Sequence, residues 1–298
     1  MTHAHLGELF ALGTAVFWTV SALAFEGATK RVGAFAVNFI RLWLAFIFLS
    51  FLSYFIRGLA LPVDSTLHNW IWLGLSGVTG FILGDYFLFS SYPLIGARMS
   101  MLLMTLAPPF AAFFGWIFLG ETMTLKGLAG MILVISGITL AIWNKPIREE
   151  KIRLKYPLRG LLFGLLAAIG QGGGIVLSKY GMGSYNAFAS NQIRVIVAMT
   201  GFTLIITFLR KWKNVASTFR NLPAFKGIVT GSFFGPFLGV SFSLLAVQNV
   251  NAGVAATIMA MVPVFIIPPS VILYKQKVNF AEIVGAVISV IGVSLFFI

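Results

Sequence analysis

The chain is a succession of long apolar runs separated by short polar connections. A hydrocarbon layer of about 30 Å takes roughly 20 residues of α-helix at 1.5 Å per residue. Ten runs reach that length, near 7–29, 35–56, 69–92, 97–119, 124–143, 159–181, 187–209, 227–248, 252–274 and 279–298. Two connections are longer than the rest, Asn144 to Leu158 and Arg210 to Lys226, and they leave no room for a soluble catalytic domain. The pattern predicts an all-α integral membrane protein of ten transmembrane helices.

The polar positions repeat as well as the apolar ones. Shifting the chain by 153 residues lays Gly7–Arg57 on Gly160–Arg210 without a gap and with fourteen identities, Asn38/Asn191, Arg41/Arg194 and Arg57/Arg210 among them. A shift of 155 continues the match through Gly80/Gly235, Gly84/Gly239, Met104/Met259, Pro108/Pro263, Gly130/Gly285 and Gly137/Gly292. Apolar composition alone would pair Leu with Val at random; it would not keep Asn-x-x-Arg, Gly-x-x-x-Gly and a mid-run Pro in order. The division predicted is a first five-helix repeat at 1–143, a basic linker at 144–158 and a second five-helix repeat at 159–298. Five is odd, so the second repeat enters the membrane inverted. Inverted repeats place a pseudo-two-fold axis in the membrane plane, with transport sites commonly near the midplane.

Composition strengthens this picture: of 298 residues 59% are hydrophobic and 10% charged, too little polar surface for a soluble domain. With no cysteine, disulfides and thiolate metal sites are excluded. His3, His5 and His68 sit in the tail or a loop and make no metal site by themselves. No cofactor is expected. The net charge of +13 comes mostly from short connections, which points to membrane topology rather than to nucleic acid. Those basic residues gather in the odd-numbered connections, and this bias puts the odd connections in the cytoplasm and both termini outside. Met1 to Glu8 carries no basic region or cleavage site and reads as the start of the first helix.

Ionisable groups in hydrocarbon cost at least roughly 2.5–3.5 kcal/mol on insertion scales, so each needs a partner, water or a function. Asp85 lies sixteen residues into the third run, too deep for a short carboxylate to reach the interface. It can be protonated in coupling, hold a substrate amine, or serve a structural ion pair. Glu26 and Lys179 are repeat equivalents of opposite charge, able to bind two ends of a zwitterion, to lock helices together, or to snorkel outward. Arg41 and Arg194 each follow an Asn by three residues, on one helical face, suited to an anion, a loop carbonyl or a lipid headgroup. Trp18 and Gln171, also equivalent, fall near mid-membrane, and an amide there must find partners. Gln171-Gly-Gly-Gly174 lacks the strand and Lys-Ser/Thr of a phosphate loop, so its glycines serve close packing or local unwinding. Gly80, Gly84, Gly235 and Gly239 are packing or hinge candidates, and Pro108-Pro109, Pro263 and Pro268-Pro269 should kink the fourth and ninth helices.

Both halves resemble the EamA-type branch of the drug/metabolite transporter superfamily over nearly the whole chain. The first half reads Ala97-Arg-Met-Ser-Met-Leu-Leu-Met-Thr-Leu-Ala-Pro108, then Leu119-Gly-Glu121, Gly130 and Gly137; the second reads Ala252-Gly-Val-Ala-Ala-Thr-Ile-Met-Ala-Met-Val-Pro263, then Gly285 and Gly292. Leu-Gly-Glu has become Tyr274-Lys-Gln276 in the second half, which argues against a role needing two symmetric carboxylates. Where the family often has Trp followed eight residues later by Lys, this chain has Trp18 with Glu26 and Gln171 with Lys179. The resemblance implies export or exchange of small metabolites such as amino acids, with both termini inside; on orientation we side with the charge bias.

The expectation is therefore a secondary transporter in a bacterial inner membrane, a monomer or homodimer moving a small molecule with protons or a counter-substrate. The alternative is an intramembrane lipid- or metabolite-modifying enzyme. No converging nucleophile, acid/base pair or metal cluster supports it, and no P-loop supports ATP-driven transport.

Overall fold

The computed structural model describes residues 3–119, 125–144, 153–154, 156–249, 258–272, 275 and 278–295. The helices are α1 (His3–Val32), α2 (Ala34–Arg57), α3 (Leu67–Ser76), α4 (Asp85–Leu103), α5 (Ala107–Leu119), α6 (Leu125–Ile142), α7 (Leu158–Met182) and α8 (Ala187–Phe208). They continue as α9 (Trp212–Thr218), α10 (Leu222–Ser232), α11 (Val240–Asn249), α12 (Val262–Phe265), α13 (Ile267–Ile272) and α14 (Phe280–Leu295). Two-residue strands β1 (Trp143–Asn144) and β2 (Arg153–Leu154) pair antiparallel at the ends of the linker.

Six described helical stretches are long and apolar enough to cross a membrane: Leu6–Val32, Ala34–Arg57, Leu67–Phe118, Leu158–Met182, Ala187–Phe208 and Leu222–Ala246. Leu67–Phe118 spans 52 residues, more than one crossing needs. It is interrupted at Gly96, whose φ of 76° and ψ of 160° belong to backbone that only glycine adopts without strain. The turn expected between the third and fourth runs is thus one glycine. Proline explains why other runs are shorter than expected. Pro108 and Pro109 stand in the first turn of α5, after a 3₁₀ turn at Met104–Leu106, and Pro263 and Pro268 open α12 and α13 in the same way. Lacking a donor, Pro begins a helix more easily than it continues one.

The two halves pack reciprocally. α3 lies against α7 of the other half, and α10 against α1; α2 packs on its equivalent α8, and α6 on its equivalent α14. Thr66 caps α3 in a capping box with Asn69, and Asn221, its repeat equivalent, caps α10. Each of these helices then widens into a π-helical segment, Gly77–Gly84 and Phe233–Gly239, at repeat-equivalent positions. A Cβ at Gly84 would stand 3.2 Å from Gln171 Nε2, and one at Gly239 2.6 Å from Trp18 Cδ1. The Gly-x-x-x-Gly elements therefore seat the paired residues of α7 and α1. Serines bridge the same contacts, Ser76 Oγ donating to Gly174 O at 2.7 Å and Ser21 Oγ to Gly231 O at 3.1 Å. The long connection 210–226 holds the short α9 and the start of α10.

Candidate functional site

Where α1, α2, α4 and α7 meet the two π-helical segments, they surround a cavity of about 180 Å³. At roughly 10–15 Å³ per water by this measure, it holds a small molecule rather than one or two waters. Trp18, Arg41, Asp85 and Gln171 stand in its wall with Phe25, Phe81, Phe89 and Tyr92, and Gly235, Pro108 and Pro263 close it from both halves.

Asp85, at the start of α4, organises the polar part. Arg41 Nη2 donates to its Oδ2 at 2.6 Å, and Gln171 Nε2 to its Oδ1 at 2.7 Å. The same amide reaches Gly80 O at 3.2 Å, a carbonyl in the widened π turn. Arg41 is oriented by its own helix, Nε donating to Asn38 Oδ1 at 3.0 Å, the bond that the three-residue spacing brings within reach. Its guanidinium lies 4.8 Å from the Phe89 ring centroid and 5.6 Å from that of Phe81. The aromatic bed and paired carboxylate hold the charge at low dielectric, where electrostatic interactions are strongest.

Arg194 reaches the same ring, its guanidinium 4.6 Å from the Phe81 centroid, so that Phe81 lies within cation–π range of both arginines. Asn191, equivalent to Asn38, turns away to Pro236 O at 2.8 Å and Ser241 Oγ at 3.2 Å. Arg194 Nε is buried without a hydrogen-bond partner.

Glu26 and Lys179 are not brought together. Glu26 is buried and bonds Lys30 one turn along α1, whereas Lys179 is exposed in the last turn of α7. Glu26 and Lys30 line a second cavity of about 400 Å³ with Tyr92, Pro93, Gly96, Arg98 and Tyr156. Beside it Arg98 pairs with Glu282 at 2.7 Å, and Tyr156 donates to Glu282 at 3.3 Å. Gly120-Glu121, Ala252–Thr257, Tyr274 and Gln276 lie outside the described residues.

Three groups of functional character escaped the sequence reading. Tyr92 borders both cavities and is 1% exposed. Gln192, fully buried, donates to Ala60 O at 2.7 Å and Ser50 Oγ at 2.9 Å, tying the second half to the connection after α2. An amide in an apolar run was its signal. At the same end Arg57 bonds both oxygens of Asp64, and Tyr185 of the second half donates to Asp64 Oδ1 at 2.8 Å. The bonds from Arg57, and then from Tyr185, hold the Asp64 carboxyl below the usual carboxylate range.

Long apolar helices packed around a central polar cluster define a multi-pass α-helical membrane protein. The chain belongs to the EamA-like transporter family, whose model matches it twice, over residues 5–143 and 158–298. An uncharacterized transporter of Archaeoglobus fulgidus is 26% identical over 117 residues, a stretch that makes up 39% of this chain and 39% of that protein's own length. A crystal structure of another protein superposes with a TM-score of 0.61 at 16% identity, over 97% of this chain and 95% of that one, a likeness of fold alone. Family and relative both point to a transporter rather than an enzyme.

Proposed function

We propose that this protein is a secondary transporter, an exporter or exchanger, of small polar metabolites such as amino acids. It works by alternating access to the cavity around Asp85, within ten transmembrane helices arranged as inverted five-helix repeats at 1–143 and 159–298. The observation that carries the reading is the cavity itself: both halves build it, and its polar wall is an Arg41–Asp85–Gln171 cluster buried in an apolar protein. Substrate enters the wall of Trp18, Arg41, Asp85 and Gln171; Glu26 and Lys30 serve its approach from one end. Gly80, Gly84, Gly235, Gly239, Pro108 and Pro263, where helices change pitch or restart, are the hinges.

The test is flux of labelled amino acids into liposomes holding the purified protein. Uptake of unchanged substrate is expected, and Asp85→Asn should abolish it while the protein remains folded. Chemical conversion of the substrate would replace this reading with that of an intramembrane enzyme. The membrane is the bacterial plasma membrane, with both termini outside. A single cysteine at Thr2, and separately at Asn144, probed in whole cells with an impermeant maleimide, should react at position 2 only. Reaction at 144 alone reverses the orientation.

A further inference from the structure

Three buried charges lie in or beside the wall of the central cavity and do not cancel: Arg41 and Asp85 line it, and Arg194 packs on Phe81, a ring of that wall. Arg41, Asp85 and Arg194 are 3%, 6% and 5% exposed, and guanidinium groups stay protonated in proteins. One carboxylate therefore stands among two cations. Arg41 holds that carboxylate at 2.6 Å. Arg194 bonds no carboxylate among the described residues, and its Nε finds no acceptor. Of the other described acids, Glu8 lies on the exposed start of α1, and the rest are engaged elsewhere, Glu26 with Lys30, Asp64 with Arg57 and Glu282 with Arg98. Nor does the repeat supply a second acid, because the position equivalent to Asp85 is Val240, itself in the cavity wall. A buried cation without a counter-charge is costly, and an anion entering the cavity relieves that cost.

We propose that the cavity binds the carboxylate group of its solute, and that the uncompensated charge of the Arg41–Asp85–Arg194 cluster is what selects it. Arg41 is the wall group that meets the solute; Arg194, outside the lining and against Phe81, contributes its charge at longer range. Asp85 is an internal competitor, occupying Arg41 when the cavity is empty and yielding to the incoming carboxylate. Phe25, Phe89, Met101 and Met104 offer the rest of the solute an apolar wall. The inference rests on the transport reading and narrows its substrates to those bearing a carboxylate.

The test uses the full chain purified in detergent with benzoate, benzamide and benzylammonium, which keep one ring and change only the charge. Stabilisation as a function of ligand concentration reports affinity. Benzoate is expected to bind at least about tenfold more tightly than either of the others. Val240→Asp supplies the missing counter-charge and should remove that preference. Asp85→Asn removes the competitor and should tighten benzoate binding roughly tenfold, opposite to the loss that a purely structural acid would give. Either variant decides the matter if the other fails to fold. Benzoate binding no better than its neutral and cationic counterparts overturns the proposal, as does unchanged or weaker benzoate binding in the folded variants. The readout is equilibrium binding, so failure here leaves transport standing, and absence of flux in liposomes leaves the charge preference standing.

Discussion

Arg41 and Arg194 occupy the same place in the two halves, on the same face of equivalent helices and three residues after the same Asn, yet their surroundings differ. Arg41 is held by Asn38 and Asp85. Arg194 has neither bond: Asn191 donates through Nδ2 to Pro236 and Ser241 while its Oδ1 and Arg194 Nε are both left without a partner, and the acid is replaced by Val240. Duplication thus kept the frame and let the electrostatics diverge. The frame rests on close approach, tight at Gly84 and closed to any side chain at Gly239, where a Cβ would stand 2.7 Å from Phe234 O. Charge rests on single residues and changes with one substitution.

Removing each arginine in turn should give the largest contrast between the halves. Arg41→Met leaves Asp85 buried without its cation and should lower stability by about 3–5 kcal/mol. Arg194→Met removes an unmatched cation and should be neutral or stabilising by up to ~1–4 kcal/mol. Thermal unfolding of both variants in detergent measures the contrast, and equal losses would end it.

A smaller effect tests where the halves remain alike. At the crossing of α6 and α14, a Cβ on Gly137 would lie 2.5 Å from Gly285 O, and one on Gly285 would meet Gly137 O just as closely. Backbone cannot yield as a side chain can, so Gly137→Ala and Gly285→Ala should each cost about 1–3 kcal/mol. Gly27→Ala faces open space and should be neutral or gain up to ~1 kcal/mol. Unequal losses at 137 and 285 would extend the asymmetry beyond charge.

The smallest effect concerns Asp64, where the halves are joined at one end. Its carboxyl is held below its ordinary value, so the stabilisation is present above the unfolded pKa of about 4 and is lost as pH falls through the lower folded value. With the side chain 44% exposed, solvent screening limits this to about 0.5 kcal/mol. Asp64→Asn should flatten the acid limb of the stability profile below about pH 4 and leave the neutral plateau lower by that amount. An unchanged acid limb would show that the contact carries no measurable energy.

Much of the polar core was legible because polar residues are conspicuous in apolar runs. Asp85, Arg41, Gln171 and Trp18 all reach one cavity. What the sequence concealed was partnership. Repeat symmetry aimed Glu26 at Lys179, but Lys30 lies four residues away on the same helix, and an intrahelical pair needs no alignment of two elements. Prolines marked where the fourth and ninth runs change direction, but the π-helical and 3₁₀ segments that also divide the runs left no such mark. Hydrophobic periodicity does not register such changes of pitch over one or two turns.

Tyr92 gives the two cavities their common boundary among the described residues. Its ring stacks on Phe89 at 5.4 Å between centroids. A ring packed this tightly turns only when the side chains around it loosen. The pace of its turning is then set by breathing of the α1–α4 packing, slower than the nanosecond flips of free side chains. A solute that displaced the ring on its way between the cavities would therefore wait on the core behind it rather than on the phenol itself.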